Sequence, residues 1–360
     1  MDDQPAFCVM APELVSLCLR AAHLDKRIAA LSFAMTPRAL SNYLDACLVD
    51  DVVSTNDIEA VRSTHKEVQE TLSGVRSGAK KRSRFQGIVK SYQLLLEGRS
   101  FTLDSCADIR RLYDELVADE VCGSDGTNAP DGEFFRKGPV SVCDGMGKTV
   151  HQGVSSELKI TEMLNAGLAL LREDQIPLLV RVALFHFLFA YVHPFYDGNG
   201  RTNRFISSCL LAKEFEPAVA LRLSRFVQDN VRTYYKAFTT CEHRLNRGDL
   251  TPFAIEFAQI MVDGMERLKD SLEDSLRFVA EEGVALASVP ELAGDAALLA
   301  CAKEISSAAA FSLRGATGKD LANDLGISDP TLYKRLASLR ELGLLGQEKV
   351  GRQTYYYLTL

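Results

Sequence analysis

The chain has 360 residues, of which 47% are hydrophobic and 25% charged, so it is long enough for a large core and two or three domains. Its formal net charge of -7 does not favour nucleic acid as the partner of the whole chain. The first residues, MDDQPAFCVM, are acidic rather than basic, and Arg181 and His186 interrupt the apolar run 176–192, which argues against an export signal and a membrane span.

The first hundred residues have a helical pattern. From Pro12 to about Leu96, apolar residues recur at three- and four-residue steps, which predicts amphipathic helices packed together. The stretch STNDIEAV is predicted to begin one of these helices, because Ser54 or Thr55 can cap it and Asp57 favours a first helical turn.

The middle of the chain combines one hairpin with several helices. After a helix through SCADIRRLYDELV, the runs PVSV and TVHQGV flank CDGMGK, a pattern that predicts a β-hairpin. Helices are expected to follow from Glu162, Ile176, Arg201, Asp229 and Pro252, the second of them buried in the core.

The last part of the chain has a different order of elements. Three predicted helices precede two short strands around KVGR, the order of a winged helix-turn-helix over residues 285–360. Eight basic and six acidic residues lie between 300 and 360, which permits DNA binding without the strong basic stripe of a dedicated binder. DNA and a protein partner remain equal alternatives, with contacts expected at Thr331, Tyr333, Lys334, Arg335 and Arg352.

Residues 193–204, HPFYDGNGRTNR, lie between two predicted helices and form the most informative stretch. The free N–H groups and positive dipole end of the second helix make an anion site. Gly198 and Gly200 let a phosphate approach the backbone, and Arg201 and Arg204 lie on one helix face. A two-residue hairpin turn is the structural alternative, but it requires alternating strands on both sides.

Two further side chains in this stretch add chemistry. Asp197 supplies a hard oxygen suited to Mg²⁺, and His193, expected to titrate near neutrality, can accept a proton from an attacking hydroxyl. Together with the anion site, these groups indicate phosphoryl or nucleotidyl transfer.

The same stretch resembles the signature His-x-Phe-x-Asp/Glu-Gly-Asn-Gly-Arg-x-x-Arg of the Fic-domain family at every fixed position, and the resemblance extends over roughly residues 100–260. It implies transfer of AMP from ATP–Mg²⁺ to a hydroxyl of a target protein, with His193 as the base and Asp197 as the metal ligand. Phe195 is implied as the core anchor of the loop. The implied phosphate-binding residues are Gly198, Asn199 and Gly200 as the anion hole, with Asn199 on the α-phosphate, and Arg201 and Arg204 on the β- and γ-phosphates.

The resemblance also covers residues outside the signature. The predicted hairpin, near Val140–Val154, corresponds to the family's flap, an edge that captures the target segment by strand pairing. Tyr235 and Asn246 correspond to the pocket around ribose and adenine, although Tyr235 is equally explained as a core aromatic. Thr55 and Glu59 fit the core of the family's inhibitory motif, in which the glutamate pairs with the second arginine, here Arg204.

The inhibitory motif shows one departure from the family pattern and leaves two uses of its glutamate open. Ala60 stands where the family has Gly or Asn. In some relatives the glutamate also aligns a water that removes AMP, so inhibition and AMP removal are both open uses of Glu59.

The predicted protein is therefore mostly α-helical, a Fic helical bundle with a β-hairpin flap. A helical region carrying the inhibitory helix occupies residues 1–98, the catalytic domain residues 99–284, and the winged helix-turn-helix residues 285–360. Nine cysteines without a C-x-x-C pair indicate reduced thiols and a cytoplasmic protein without a membrane partner. The sequence leaves open whether the protein forms a homodimer. The rival hypotheses are a transcriptional regulator that only senses nucleotide and transfer of another phosphate-linked group.

Overall fold

The computed structural model describes residues 5–78, 83–122, 126–143, 147, 149–312, 314–350 and 353–359. The chain divides into two compact units, Met1–Asp25 with Leu48–Met265 and Lys26–Cys47 with Glu266–Leu360. The predicted boundaries at residues 98 and 284 stay predictions.

The first unit is almost entirely helical, and three of its helices, α1, α2 and α13, also contribute residues to the second unit. Its long helices are α1 Pro12–Phe33, α2 Pro37–Ile58, α3 His65–Arg76, α4 Gln86–Leu96 and α5 Cys106–Tyr113, then α7 Glu157–Leu170, α8 Leu178–Val192, α9 Asn199–Leu211, α12 Val231–Glu242 and α13 Thr251–Ala287. Its shorter helical pieces are the π-helical turn Asp114–Ala118, α6 Asp119–Val121, α10 Pro217–Ala220, α11 Leu223–Asp229 and the 3₁₀ turn Arg244–Asn246.

Helix α8 is the predicted core helix of this unit. Nearly all of its side chains are buried, which explains why its sequence is apolar all round rather than on one face. Its two polar interruptions bond within the unit: Arg181 Nη1 donates to Leu171 O at 2.6 Å, although its buried Nε has no partner among the described residues, and His186 bonds Ser207 Oγ and Tyr234 Oη. Among the described helices, none has both the length and the apolarity needed to cross a bilayer.

Helix α2 differs from the sequence prediction. STNDIEAV does not begin a helix: Ser54 to Ile58 form the last turn of α2, and Ala60 closes it with a left-handed φ of 55°. Ser54 and Thr55 are buried within the packed helix, so tertiary burial has overridden their local preference for helix starts. Thr55 and Glu59 therefore project from the C-terminal end of a helix.

The predicted hairpin is present. Strand β1, Ser141–Cys143, pairs antiparallel with β2, Thr149–Gln152, with a register shift between Val142 and Cys143. Residues 144–146 and 148 of its connection lie outside the described residues.

The second unit carries the C-terminal elements α14 Pro290–Ala293, α15 Ala296–Ala310, β3 Ala316–Thr317, α16 Gly318–Asp324, α17 Asp329–Glu341, β4 Leu345–Val350 and β5 Gln353–Leu358. The sheet order is β3-β5-β4. Helix α17 buries Leu332, Leu336 and Leu339 and exposes Tyr333 and other polar residues on its opposite face. The mostly helical fold is confirmed, the winged helix-turn-helix stays a prediction, and Arg352 lies outside the described residues.

Candidate active site

The signature stretch forms a loop between α8 and α9. His193 ends α8 in a left-handed conformation (φ 52°), and Gly198, also left-handed (φ 77°), precedes the first residue of α9. The flanks are helices, so the hairpin alternative is wrong. The first N–H groups of α9 have no partner within the helix and point towards its N-terminal end.

Asn199 and Phe195 hold this loop closed. Asn199 Oδ1 accepts from Phe195 N–H at 2.9 Å, and Asn199 Nδ2 donates to Phe195 O at 2.8 Å. Phe195 is fully buried and stacks on Tyr113 with ring centroids 3.7 Å apart. The Asn199 side chain thus builds the loop, while its backbone N–H, in the first turn of α9, has no partner within the helix. Its assignment to the α-phosphate stays a prediction.

His193 presents a neutral imidazole. Its Nδ1 lies 3.3 Å from Ala190 O, and because a carbonyl only accepts, Nδ1 carries the proton and the lone pair lies on Nε2. Burial, together with the positive charges of His151 and Arg136, lowers the pKa of His193 to about 4. The expectation of titration near neutrality is therefore corrected: the ring is already a proton acceptor well below pH 6.

Arg136 is a central residue that the sequence analysis missed. Its fully buried guanidinium donates to His193 O (2.8 Å), Gly138 O (2.6 Å), Val154 O (2.9 Å) and Val192 O (3.2 Å). These carbonyls belong to the α8 terminus and to both sides of the hairpin. One side chain therefore fixes the His193 backbone and the hairpin base together.

The hairpin is also tied to the signature loop by other bonds. Val154 N–H donates to Val192 O at 3.1 Å, and His151 lies 2.7 Å from Tyr191 O and 3.1 Å from Glu242 Oε2. Burial opposes protonation of His151, but Glu242 raises its pKa above the ordinary value. The hairpin is thus anchored beside His193.

Arg204 is held by the predicted inhibitory residues. Its Nε donates to Thr55 Oγ1 at 2.7 Å, and its Nη2 donates to Thr55 O at 3.1 Å and to Glu59 Oε1 at 2.7 Å. The Arg204 side chain is 2% exposed, whereas that of Glu59 is 30% exposed. The structure therefore brings together Thr55, Glu59 and Arg204, which are about 150 residues apart in sequence.

Helical spacing explains how α2 is aligned for this contact. Asp51, Thr55 and Glu59 are four residues apart, so they follow one side of the helix. The buried Asp51 carboxylate accepts from Ser224 N–H and Oγ and from Tyr92 Oη, at 2.7 to 2.9 Å. Burial raises the pKa of Asp51 to about 6 although these bonds lower it.

Glu59 also lies against the first turn of α9. A Cβ added to Gly200 would collide with Glu59 Oε1, and its three nearest atoms all belong to the Glu59 carboxylate. The glycine thus allows a negatively charged group to approach the helix N-terminus, and Glu59 is that group in this structure.

Arg201 and Asp197 occupy the other side of this helix start. Arg201 Nη1 donates to Glu120 Oε2 at 2.8 Å, and Arg201 Nη2 lies 3.9 Å from Asp197 Oδ1. Asp197 is 52% exposed and accepts from Gly198 N–H at 2.5 Å. Glu120, on α6, is a second residue that the sequence analysis missed.

The two pocket residues beyond the signature are placed differently. Tyr235 is 48% exposed and packs edge-on against Tyr234, and burial and the Glu59 charge raise its pKa, which places it near the Glu59–Arg204 pair. Asn246 uses Nδ2 to bind Cys241 O at 3.0 Å and Asp249 O at 2.6 Å, so it stabilises its own turn. Their roles towards a nucleotide stay predictions.

Known proteins resemble this chain in sequence and in fold. Residues 103–211 match the sequence profile of the Fic/DOC family. A protein adenylyltransferase Fic of Nematostella vectensis is 38% identical over 71 residues, which is 20% of this chain and 14% of that protein. A Fic family protein from Desulfovibrio desulfuricans G20 has the same fold, with a TM-score of 0.59, 20% identity and coverage of 99% and 98% of the two chains. A Fic-1 fragment from C. elegans (residues 134–508) is 21% identical over 70% of each chain, with a TM-score of 0.47.

Proposed function

We propose that this chain, whose residues 103–211 form a Fic/DOC family domain, transfers AMP from ATP to a hydroxyl side chain of a target protein and is restrained by Glu59. The observation that carries the proposal is the Glu59 carboxylate, which contacts both Arg204 and the Gly200 turn. An internal anion thus lies where the helix dipole, the free N–H groups and an arginine would receive a phosphate.

The residues around the α9 N-terminus fit a nucleotide triphosphate. Arg201 is 3% exposed and its buried Nε has no hydrogen-bond partner among the described residues, which suits a group that bonds an incoming anion. In the described part of the chain, no three His, Cys, Asp or Glu side chains converge to hold a metal ion. The single half-exposed carboxylate of Asp197 nevertheless fits Mg²⁺, which is commonly held by one carboxylate and substrate phosphates. Bound there, Mg²⁺ would neutralise phosphate charge.

The proposed reaction is an in-line displacement at the α-phosphorus. The target hydroxyl oxygen forms a bond to the α-phosphorus while its proton passes to His193 Nε2. The bond from the α-phosphorus to the bridging oxygen breaks, and pyrophosphate leaves with the electron pair. Arg201, Arg204 and the α9 N–H groups stabilise the charge on the phosphates, and Arg136 holds the His193 backbone in place.

The target segment is proposed to add to the hairpin edge near Val140–Val154. Strand β2 exposes Val150, and the hairpin base is fixed to the α8 terminus by Arg136 and Val154, so an added segment would lie beside His193. Glu59 either blocks the productive pose of the γ-phosphate or orients a water that removes AMP from the modified target. Both uses require the partly exposed carboxylate that Glu59 has.

A nucleotide-sensing regulator is the second candidate function. The observation that favours it is helix α17, which buries one leucine face and exposes Thr331, Tyr333 and Lys334 on the other. Such a face is the part of a helix-turn-helix that enters a DNA groove.

Incubation with Mg²⁺ and ATP labelled at the α-phosphorus tests the proposal. We expect label on protein, including self-modification, with Glu59→Gly and none with Glu59→Gly/His193→Ala. Glu70→Gly, which changes an exposed glutamate of α3, serves as the matched control and should label no more than the unmodified chain. Absence of label with Glu59→Gly, combined with ATP-dependent DNA binding, would favour the regulator instead.

A further inference from the structure

Each arginine of the signature stretch is paired with a carboxylate from outside it, but the two pairs differ. Glu59 pairs with Arg204 alone, so their charges cancel. Glu120 pairs with both Arg201 and Arg84, so it neutralises Arg201 only in part, and the other carboxylate near Arg201 is the half-exposed Asp197, 3.9 Å from Nη2. A substrate phosphate therefore competes with Glu59, whereas it can still be attracted to Arg201 while Glu120 remains in place.

Glu120 is held firmly. It lies on α6 directly after the π-helical turn, and its side chain is 12% exposed. Arg84 contacts Glu120 Oε1 through both Nε and Nη2 at 3.2 Å, which leaves Oε2 for Arg201 at 2.8 Å. Arg84 Nη1 also donates to Arg62 O at 3.2 Å, which fixes the far end of this chain of contacts.

The contact with Glu120 decides which N–H groups of Arg201 face a ligand. Glu120 takes Nη1, while Nη2 lies 3.9 Å from Asp197 and the buried Nε has no hydrogen-bond partner among the described residues. The adjacent Nε and Nη2 groups form one fork of a guanidinium, which can bind two oxygens of a phosphate at once. A buried N–H without a partner is costly unless a ligand satisfies it.

We propose that Glu120 is a positioning residue, which orients Arg201 so that its Nε–Nη2 fork meets the β-phosphate of a nucleoside diphosphate or triphosphate. This inference rests on the proposed function and deepens it. Glu120 is not a second brake, because the atoms nearest to a Cβ on Gly200 belong to Glu59 and because Arg84 already neutralises Glu120.

Calorimetric titration of the Glu59→Gly variant with Mg²⁺–ADP and with AMP tests this role. Glu120→Ala in that background should weaken ADP binding about tenfold or more and change AMP binding less than about twofold, because AMP has no β-phosphate. Glu120→Gln, which keeps an acceptor oxygen, should give an intermediate loss. Glu115→Ala, which changes an exposed glutamate of the preceding π-helical turn, is the matched control and should change the binding of neither ADP nor AMP.

A double-mutant cycle shows whether Glu120 acts through Arg201. In an Arg201→Ala background, Glu120→Ala should cause no further loss of ADP affinity. Unchanged or tighter ADP binding, an equal loss for AMP, or additive losses in the cycle would each overturn the inference. So would failure of Glu59→Gly to bind ADP at all. The proposed transferase function fails separately, if Glu59→Gly binds the nucleotide but transfers no AMP.

Discussion

Replacing Glu59 should destabilise the free protein and stabilise its nucleotide complex. Loss of one partner of a buried ion pair costs about 3–5 kcal/mol. Arg204 keeps its two bonds to Thr55, and Glu59 is 30% exposed, so we expect a smaller cost of about 1–2 kcal/mol in Glu59→Gly. For a unit of this size, that corresponds to a melting temperature lower by roughly 2–8 °C.

Nucleotide should offset this loss of stability. With the competing carboxylate removed, Mg²⁺–ATP affinity should rise by about 10- to 100-fold, which corresponds to about 1.4–3 kcal/mol. At a ligand concentration about 100 times the dissociation constant of the variant, binding adds about 2.7 kcal/mol to the unfolding free energy of the variant and about 0.4–1.4 kcal/mol to that of the unmodified chain, and this difference offsets the loss in the free protein.

Scanning fluorimetry with and without Mg²⁺–ATP, supported by calorimetric titration, measures both effects. Glu59→Gln, which keeps a hydrogen bond without the charge, should fall between the unmodified chain and Glu59→Gly, and Glu70→Gly serves as the control for the glycine itself. An unchanged melting temperature in the free variant, with an equal ATP-induced shift in both proteins, would refute competition between Glu59 and phosphate for Arg204.

Three further predictions concern the groups around this pair. The kcat/KM of Glu59→Gly should stay level from about pH 8 to pH 5.5 and fall only towards pH 4, because His193 is neutral above its pKa of about 4; an acid limb centred near pH 6.5 contradicts this. Arg136→Lys should lower labelling at least tenfold and the free energy of unfolding by about 2 kcal/mol or more, because buried carbonyls lose their donors. Labelling within twofold of that of the same protein without the Arg136 substitution argues against this role. As the pH rises from about 4 to 7.5, the free energy of unfolding of the unmodified chain, measured with urea, should fall by about 2–3 kcal/mol relative to that of Asp51→Asn.

The sign of the Asp51 effect follows from its raised pKa. The folded state favours the protonated carboxyl, so its contribution is fully present below the unfolded pKa, near 3.8, and is lost as the pH rises through about 6. A difference between the two proteins that does not change with pH would contradict the buried environment of Asp51.

The corresponding control for Arg136→Lys is Lys137→Arg, an exposed neighbour whose side chain lies outside this network.

Local sequence patterns predicted the anion site because its parts are adjacent in the chain. The glycines, the helix start and the arginine spacing between residues 198 and 204 all follow from rules that act over one or two helical turns. The apolar run of α8 and the hairpin were predictable for the same reason. The apolar residues of α8 and the turn residues of the hairpin indicate these elements without reference to distant parts of the chain.

Other features depend on partners that the sequence does not place. Glu120 meets Arg201 across 81 residues, and the carbonyls bound by Arg136 belong to separate segments, so neither role leaves a local pattern. The misplaced helix start at Thr55 has a similar cause, because only the packed structure shows that its hydroxyl is needed by Arg204. The low pKa of His193 likewise comes from burial and nearby positive charges that sequence spacing does not show.

The proposed reaction transfers the α-phosphorus of ATP to protein. Parallel incubations of Glu59→Gly with ATP labelled at the α- or at the γ-phosphorus test it most directly, with Glu59→Gly/His193→Ala as the blank. We expect the α-label to appear on protein while the γ-label is released as pyrophosphate. Retention of the γ-label on protein, or no transfer of either label by a variant that binds ATP, would contradict it.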